Sequence, residues 1–212
     1  MLRPLILSVD LDPGVSSPVG KTDDDLGCAF CGVHSGRWQK LLAAARCDHD
    51  RVAICPLCLL PQHLERPTID EEAALAWLPE MSQAAHNVTM REIHIELRAL
   101  GEDLFDAGRL RLDTPERKRL FHARAALSAR SATAAGRLGT DKPSELAGAL
   151  YRLSPGAYAN RAKLLGGVRL LPLGRFHDGD RDVYREIVDA WREIAAPPVS
   201  APPGYPAPRF GA

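Results

Sequence analysis

Cys28-Ala29-Phe30-Cys31-Gly32 and Cys55-Pro56-Leu57-Cys58 decide the reading of this chain. Each pair has a two-residue gap, which folds into a tight turn presenting two sulfurs to one ion. Two such turns supply the four thiolates of a tetrahedral zinc site. Gly32 follows the first pair directly, where the backbone of such a turn often takes a positive φ that suits glycine. The pairs use four of the five cysteines. Cys28, Cys31, Cys55 and Cys58 are therefore the expected ligands of a structural Zn2+, and Cys47 reads as a small, semi-buried apolar side chain.

The surrounding composition narrows the class. The chain has 212 residues, enough for one sizeable core or for a small zinc module joined to a helical domain. Lys plus Arg and Asp plus Glu each total 27, so the net charge is zero, which disfavours a protein whose main work is neutralising phosphates. Charge is uneven, however: from Arg109 to Arg137 the only acids are Asp113 and Glu116. That stretch reads as a solvated helix face, with docking to an acidic protein or to nucleic acid as alternatives. No apolar run is long enough to cross a bilayer, and residues 1–10 are too short and too soon interrupted for a secretory signal. A reducing cytosol is the expected compartment, where paired cysteines persist as metal-bound thiolates.

Local signals place the elements. Residues 1–10 read as a strand, and 10–25 as a polar loop rich in Gly, Pro, Ser and Asp. Between the cysteine pairs, 37–44 is a strand or a short helix, which periodicity leaves open, and Arg51-Val52-Ala53-Ile54 is a short strand. Residues 73–79 read as extended. Ser82 caps a helix to about Leu100 whose apolar face is Val88, Ile93, Leu97 and Leu100, with Met90 off that face. Thr114-Pro115-Glu116 starts a second helix, running to Gly136, and Ser154-Pro155 a third, running to about Leu165. Val168 to Leu173 is extended, and Asp180 or Asp182 caps a last helix ending near Ile194. The fold class is α+β: a strand-rich cysteine module over 1–80, a helical domain over 81–196 and a disordered Pro-rich tail over 197–212.

Two thiolate pairs around a β-rich insert fit a zinc ribbon, a rubredoxin-like knuckle or a treble-clef finger, the scaffold of HNH endonucleases. Such a nuclease needs a histidine general base on the strand after the first pair and a further ligand for a catalytic metal. Trp38–Ala44 contains no histidine, and His34 comes too early. His49, in Asp48-His49-Asp50, is the one histidine near the expected position. A zinc saturated by four cysteines also keeps no place for a reacting water. His63 is a fifth candidate ligand for a quartet already complete, while His86, His94 and His122 read as surface or helix-packing residues. A nuclease built on His49 with Asp48 or Asp50 is one alternative function. A nucleic-acid-binding zinc protein using Arg117, Lys118 and Arg119 is another.

Several residues carry a family resemblance. They are Leu5-Ile6-Leu7-Ser8-Val9-Asp10, the Cys-x-Phe-Cys-Gly form at Cys28, Phe30, Cys31 and Gly32 with Trp38-Gln39 after it, and Trp77-Leu78-Pro79-Glu80-Met81-Ser82-Gln83-Ala84. The last is close to the Leu-Pro-Glu-Ile-Ser-Gln-Ala segment of the DotN (IcmJ) family of type IVB (Dot/Icm-type) secretion systems, and over roughly residues 1–100 the chain resembles that family. The resemblance implies an HNH-like zinc fold without nuclease chemistry, with zinc on Cys28, Cys31, Cys55 and Cys58. It implies a non-catalytic bacterial adaptor with no small-molecule substrate. The partner it implies is the type IV coupling ATPase, bound chiefly through that protein's cytoplasmic C-terminal extension. On this reading the chain is cytoplasmic, meets the inner membrane only through the complex, and helps recruit substrates.

Overall fold

The computed structural model describes residues 2–10, 26–43, 51–105 and 111–195. Cys47, Asp48, His49 and Asp50, the loop over 11–25, Arg109 and the tail from 197 lie outside them. Residues 2–10 form no regular ladder, which corrects the expected strand. Their backbone bonds instead go to irregular neighbours: Arg3 N–H to the Ala29 carbonyl (2.8 Å), Ser8 N–H to that of Pro61 (2.8 Å), and Leu64 N–H to that of Ser8 (3.1 Å).

After the first cysteine pair, a single 3-10 turn at Gly36–Trp38 leads into strand β1 (Lys40–Ala43), which settles the open choice between strand and helix. β1 pairs antiparallel with β2 (Arg51–Ile54), with Leu41 opposite Ala53. Helix α1 (Pro56–Leu59) follows at once, with Cys55 at its N-cap and proline at its first position. A 3-10 turn at Leu60–Gln62 and helix α2 (Ile69–Glu72) precede β3 (Ala73–Trp77).

Helix α3 (Gln83–Ala99) begins as its sequence signals, the Ser82 hydroxyl accepting from Ala85 N–H at 3.2 Å. Its buried face differs from the expected one. Met90 is buried with Ile93 and Leu97, whereas Val88 is half-buried, and Gln83, His86, Asn87 and His94 share the buried side. Helix α4 (Pro115–Leu138) is capped by Thr114 and lies along β3. Helix α5 (Pro143–Tyr151) has no counterpart in the sequence reading. The single helix expected after Ser154 is two, α6 (Pro155–Ala159) and α7 (Arg161–Leu164), broken at Asn160, whose Nδ2 turns back to the Gly156 carbonyl (2.9 Å).

Strand β4 (Val168–Pro172) pairs antiparallel with β3, Ala73 opposite Pro172 and Trp77 opposite Val168. That ladder joins residues from either side of the boundary expected at 80/81. The short strands β5 (His177–Asp178) and β6 (Arg181–Asp182) form a third pair. Asp182, rather than Asp180, receives the start of helix α8 (Tyr184–Ala195): its Oδ1 accepts from Tyr184 N–H (3.0 Å) and Phe176 N–H (3.1 Å).

One continuous core runs from Cys28 and Phe30 through Leu57–Leu60, β3, α3 and β4 to α8. α3 packs on α8, where Tyr184 and Trp191 are fully buried and meet edge to face at 6.0 Å. Removing an aromatic of that size from water stabilises the fold by about 4–6 kcal/mol before entropy is charged. The cysteine module is thus one side of the same core that α3 and α8 complete.

Candidate metal centre

The first pair is held in a tight turn. Gly32 N–H donates to the Cys28 carbonyl (2.8 Å) and Cys28 N–H to that of Val33 (3.0 Å). Gly32 sits at φ +76°, a conformation that costs any residue with a Cβ about 1–2 kcal/mol. Ala29 N–H reaches the Ala53 carbonyl (2.8 Å), stitching this turn to β2 and so to the second pair. There, Cys55 caps α1 while Cys58 lies in its first turn, with Cys58 and Leu59 N–H groups both directed at the Cys55 carbonyl (3.1 and 3.0 Å).

The four Sγ atoms that result lie within 4.8 Å of one another, with Cys31 and Cys55 at 3.6 Å. All four cysteines are free, and sulfurs about 2.3 Å from a tetrahedral zinc would sit about 3.8 Å apart. Cys28, Cys55 and Cys58 are buried and Cys31 is half-buried. Hydrogen bonds from Cys31, Cys55 and Cys58 hold the Cys28 thiol well below its ordinary range. Their bonds to Cys28 and Cys31, with burial, push the Cys55 and Cys58 thiols up. Four close, mostly buried sulfurs are a donor set that a dication satisfies, by taking the place of their protons. Cys28, Cys31, Cys55 and Cys58 are positioned to bind a metal ion.

Polar side chains missing from the sequence reading hold this cluster from outside. Asn87, buried on α3, donates to the Leu57 carbonyl (2.9 Å) and to Cys58 Sγ (3.4 Å). The Leu57 carbonyl faces a gap in its own helix, because the residue four positions on is Pro61, which has no N–H to give. Asn87 Oδ1 accepts in turn from Gln83 Nε2 (2.9 Å), and Gln83 bonds both the carbonyl and the N–H of Leu170 on β4 (2.8 and 2.7 Å). A chain of hydrogen bonds therefore runs from β4 to a sulfur of the quartet. On the other side, the Trp191 indole donates to Ser35 Oγ (2.9 Å) and Ser35 N–H to Gln39 Oε1 (3.0 Å), tying α8 to the turn after the first pair. The one sequence signal for the first chain is the i, i+4 spacing of two amides on a helix face.

The histidines separate. Among the described residues none joins the quartet. His34 and His122 are exposed. His86 and His94 are fully buried helix-packing residues. Burial pulls His86 down to about 4, aided by the Arg169 charge, and His94 down to about 3. His94 Nδ1 lies 2.6 Å from the Tyr184 hydroxyl. The cations of α4 are largely engaged. Arg117 pairs with Glu102 and Asp113, Arg119 with Glu96, and Arg130 with Glu80, while Arg137 covers the Trp77 ring and Arg124 is buried.

No protein-family model and no curated protein matches the chain. No helix among the described residues is long and apolar enough to cross a membrane.

Proposed function

We propose that Cys28, Cys31, Cys55 and Cys58 hold a structural zinc ion in a treble-clef-like module. On that module the chain works as a non-catalytic adaptor of a type IV secretion or conjugation coupling complex. The observation that carries the zinc reading is the closed quartet, with three buried sulfurs and Asn87 bonded to one of them. Zinc bound there supplies a cross-link between two turns distant in sequence, and four thiolates leave it no place for a substrate. The order of a turn bearing two cysteines, a hairpin, and a helix start bearing two more supports the treble-clef reading. The adaptor role rests on the resemblance to the DotN family over roughly residues 1–100. The partner on this reading is the coupling ATPase, bound at the cytoplasmic face of the inner membrane.

The test is capture of the tagged full chain from its native host, with partners identified by mass spectrometry. Recovery of a coupling ATPase, retained at moderate salt, is the expected result. Plasmid nicking that requires Mg2+, Mn2+ or Ni2+ and disappears in His49→Ala would overturn the adaptor in favour of a nuclease. Capture that repeatedly lacks any such ATPase would overturn it as well.

A further inference from the structure

Away from the quartet, Asp10, His63 and Glu65 bring an imidazole and two carboxylates together, one ligand atom of each lying within 4.8 Å of the others. The three come from two strands of chain that the fold fastens side by side. Besides the backbone bonds at Ser8 and Leu64, Gln62 Nε2 donates to the Ile6 carbonyl (2.7 Å). The Arg161 guanidinium reaches the Leu7 carbonyl (3.1 Å) and Ser8 Oγ (2.9 Å). The hydroxyls of Tyr151 and Tyr158 donate to the carbonyls of Asp10 (2.9 Å) and Val9 (2.8 Å). Positions 10, 63 and 65 are therefore fixed before any ligand arrives, which is the preorganisation a metal site needs.

Glu65 is the hinge of the group. Its Oε1 lies 2.8 Å from His63 Nδ1, and its Oε2 accepts from the Asp10 N–H at 3.1 Å. His63 is 9% exposed, and its Nε2 is buried with no hydrogen-bond partner among the described residues. Nδ1 is the ring nitrogen that faces the carboxylates, so a bound ion would take the place of the proton it shares with Glu65 Oε1. The two carboxylates are half-buried, so an ion can enter from their side.

We propose that Asp10, His63 and Glu65 are a second metal site, separate from the cysteines, for a divalent first-row ion. One nitrogen and two carboxylate donors favour Mn2+, Fe2+ or Zn2+ over ions that prefer sulfur. Three protein ligands leave coordination positions to water or to an incoming group, unlike the four-thiolate site. An ion there would add a cross-link between Asp10 and the arm leaving the second cysteine pair. This inference does not depend on the adaptor reading.

Mn2+ is the probe, because it competes poorly for thiolates. Full-length protein carrying its cysteine-bound metal is titrated with Mn2+ while free Mn2+ is followed by electron paramagnetic resonance. Metal content after dialysis is read by mass spectrometry. The expected result is one Mn2+ per chain, with affinity reduced about tenfold or more in Glu65→Gln and in Asp10→Asn. Asp10→Asn keeps the Asp10 backbone bond to Glu65, so its fold is preserved, and the cysteine-bound metal stays in place in both variants. Absence of Mn2+ binding at millimolar concentration, or binding equally strong in both variants, would overturn the site. The Asp10–Glu65–His63 contacts would then be a structural hydrogen-bond chain alone.

Discussion

Asn87→Ala perturbs the cysteine cluster without touching a cysteine. The change removes the donor to the Leu57 carbonyl, the donor to Cys58 Sγ and the acceptor of Gln83. The first loss is the largest, because Pro61 offers that carbonyl no N–H and both Leu57 and Asn87 are buried. A buried carbonyl left without a partner costs about 1–3 kcal/mol, and each lost hydrogen bond contributes about 1 kcal/mol net. Gln83 keeps its two bonds to Leu170, so its share is small. A total of about 3 kcal/mol lowers Tm by about 6–12 °C for a chain of this size. Loss of the N–H bond to sulfur also leaves Cys58 easier to protonate, weakening the metal about tenfold, as outer-sphere substitutions do. Circular dichroism melts of metal-loaded protein read the first effect, and chelator competition the second. A variant that melts within about 2 °C of the wild type, where about 3 kcal/mol of destabilisation is expected, and that releases metal at the same chelator concentration, would refute the role given to Asn87.

Acidification is expected to weaken the fold through the two buried histidines. Burial holds His94 down to about 3 and His86 down to about 4, whereas both titrate near 6.5 once unfolded. Between those limits the unfolded chain binds the extra protons, so stability rises with pH and falls on acidification below about 6.5, by about 2 kcal/mol per histidine at pH 5. Urea unfolding at pH 7.5 and pH 5 should show a smaller loss in His94→Phe than in the wild type, and equal losses would contradict the assignment. Gly174→Ala should destabilise by about 2 kcal/mol or more, because φ is +92° and the new Cβ would collide with the Leu104 carbonyl. A thermal melt unchanged by that substitution would refute the close approach. Cys31→Ser and Cys58→Ser should lose metal and solubility together, and either variant remaining folded at unchanged Tm would sink the structural role of the ion.

Much of the local structure is legible in the sequence because its signals are local. Ser82, Thr114 and Ser154 announce helix starts through their own hydroxyls, and the cysteine spacing announces a metal turn. What escapes is set by partners far along the chain. The extended character of 73–79 and 168–173 is readable, but their pairing across the intervening helices is not. Met90 belongs to the buried face of α3 because it lies three residues before Ile93 and seven before Leu97, a spacing that starting the face from Val88 obscures. That face is completed by Gln83, Asn87, His86 and His94, with Gln83 held by the Leu170 backbone, Asn87 by the Leu57 carbonyl and Cys58, and His94 Nδ1 by Tyr184. Residues 2–10 read as a strand because they are apolar, yet their neighbours are a turn and a loop, so no ladder forms. Asn160 splits in two the single helix expected from the Ser154-Pro155 start to about Leu165.

The most direct test of the account is X-ray absorption at the zinc edge of protein purified without added metal, paired with zinc content per chain. The account predicts one zinc per chain with four sulfur neighbours at about 2.3 Å. A purified protein that is folded without zinc, or a zinc with nitrogen or oxygen neighbours in place of the four sulfurs, would contradict it.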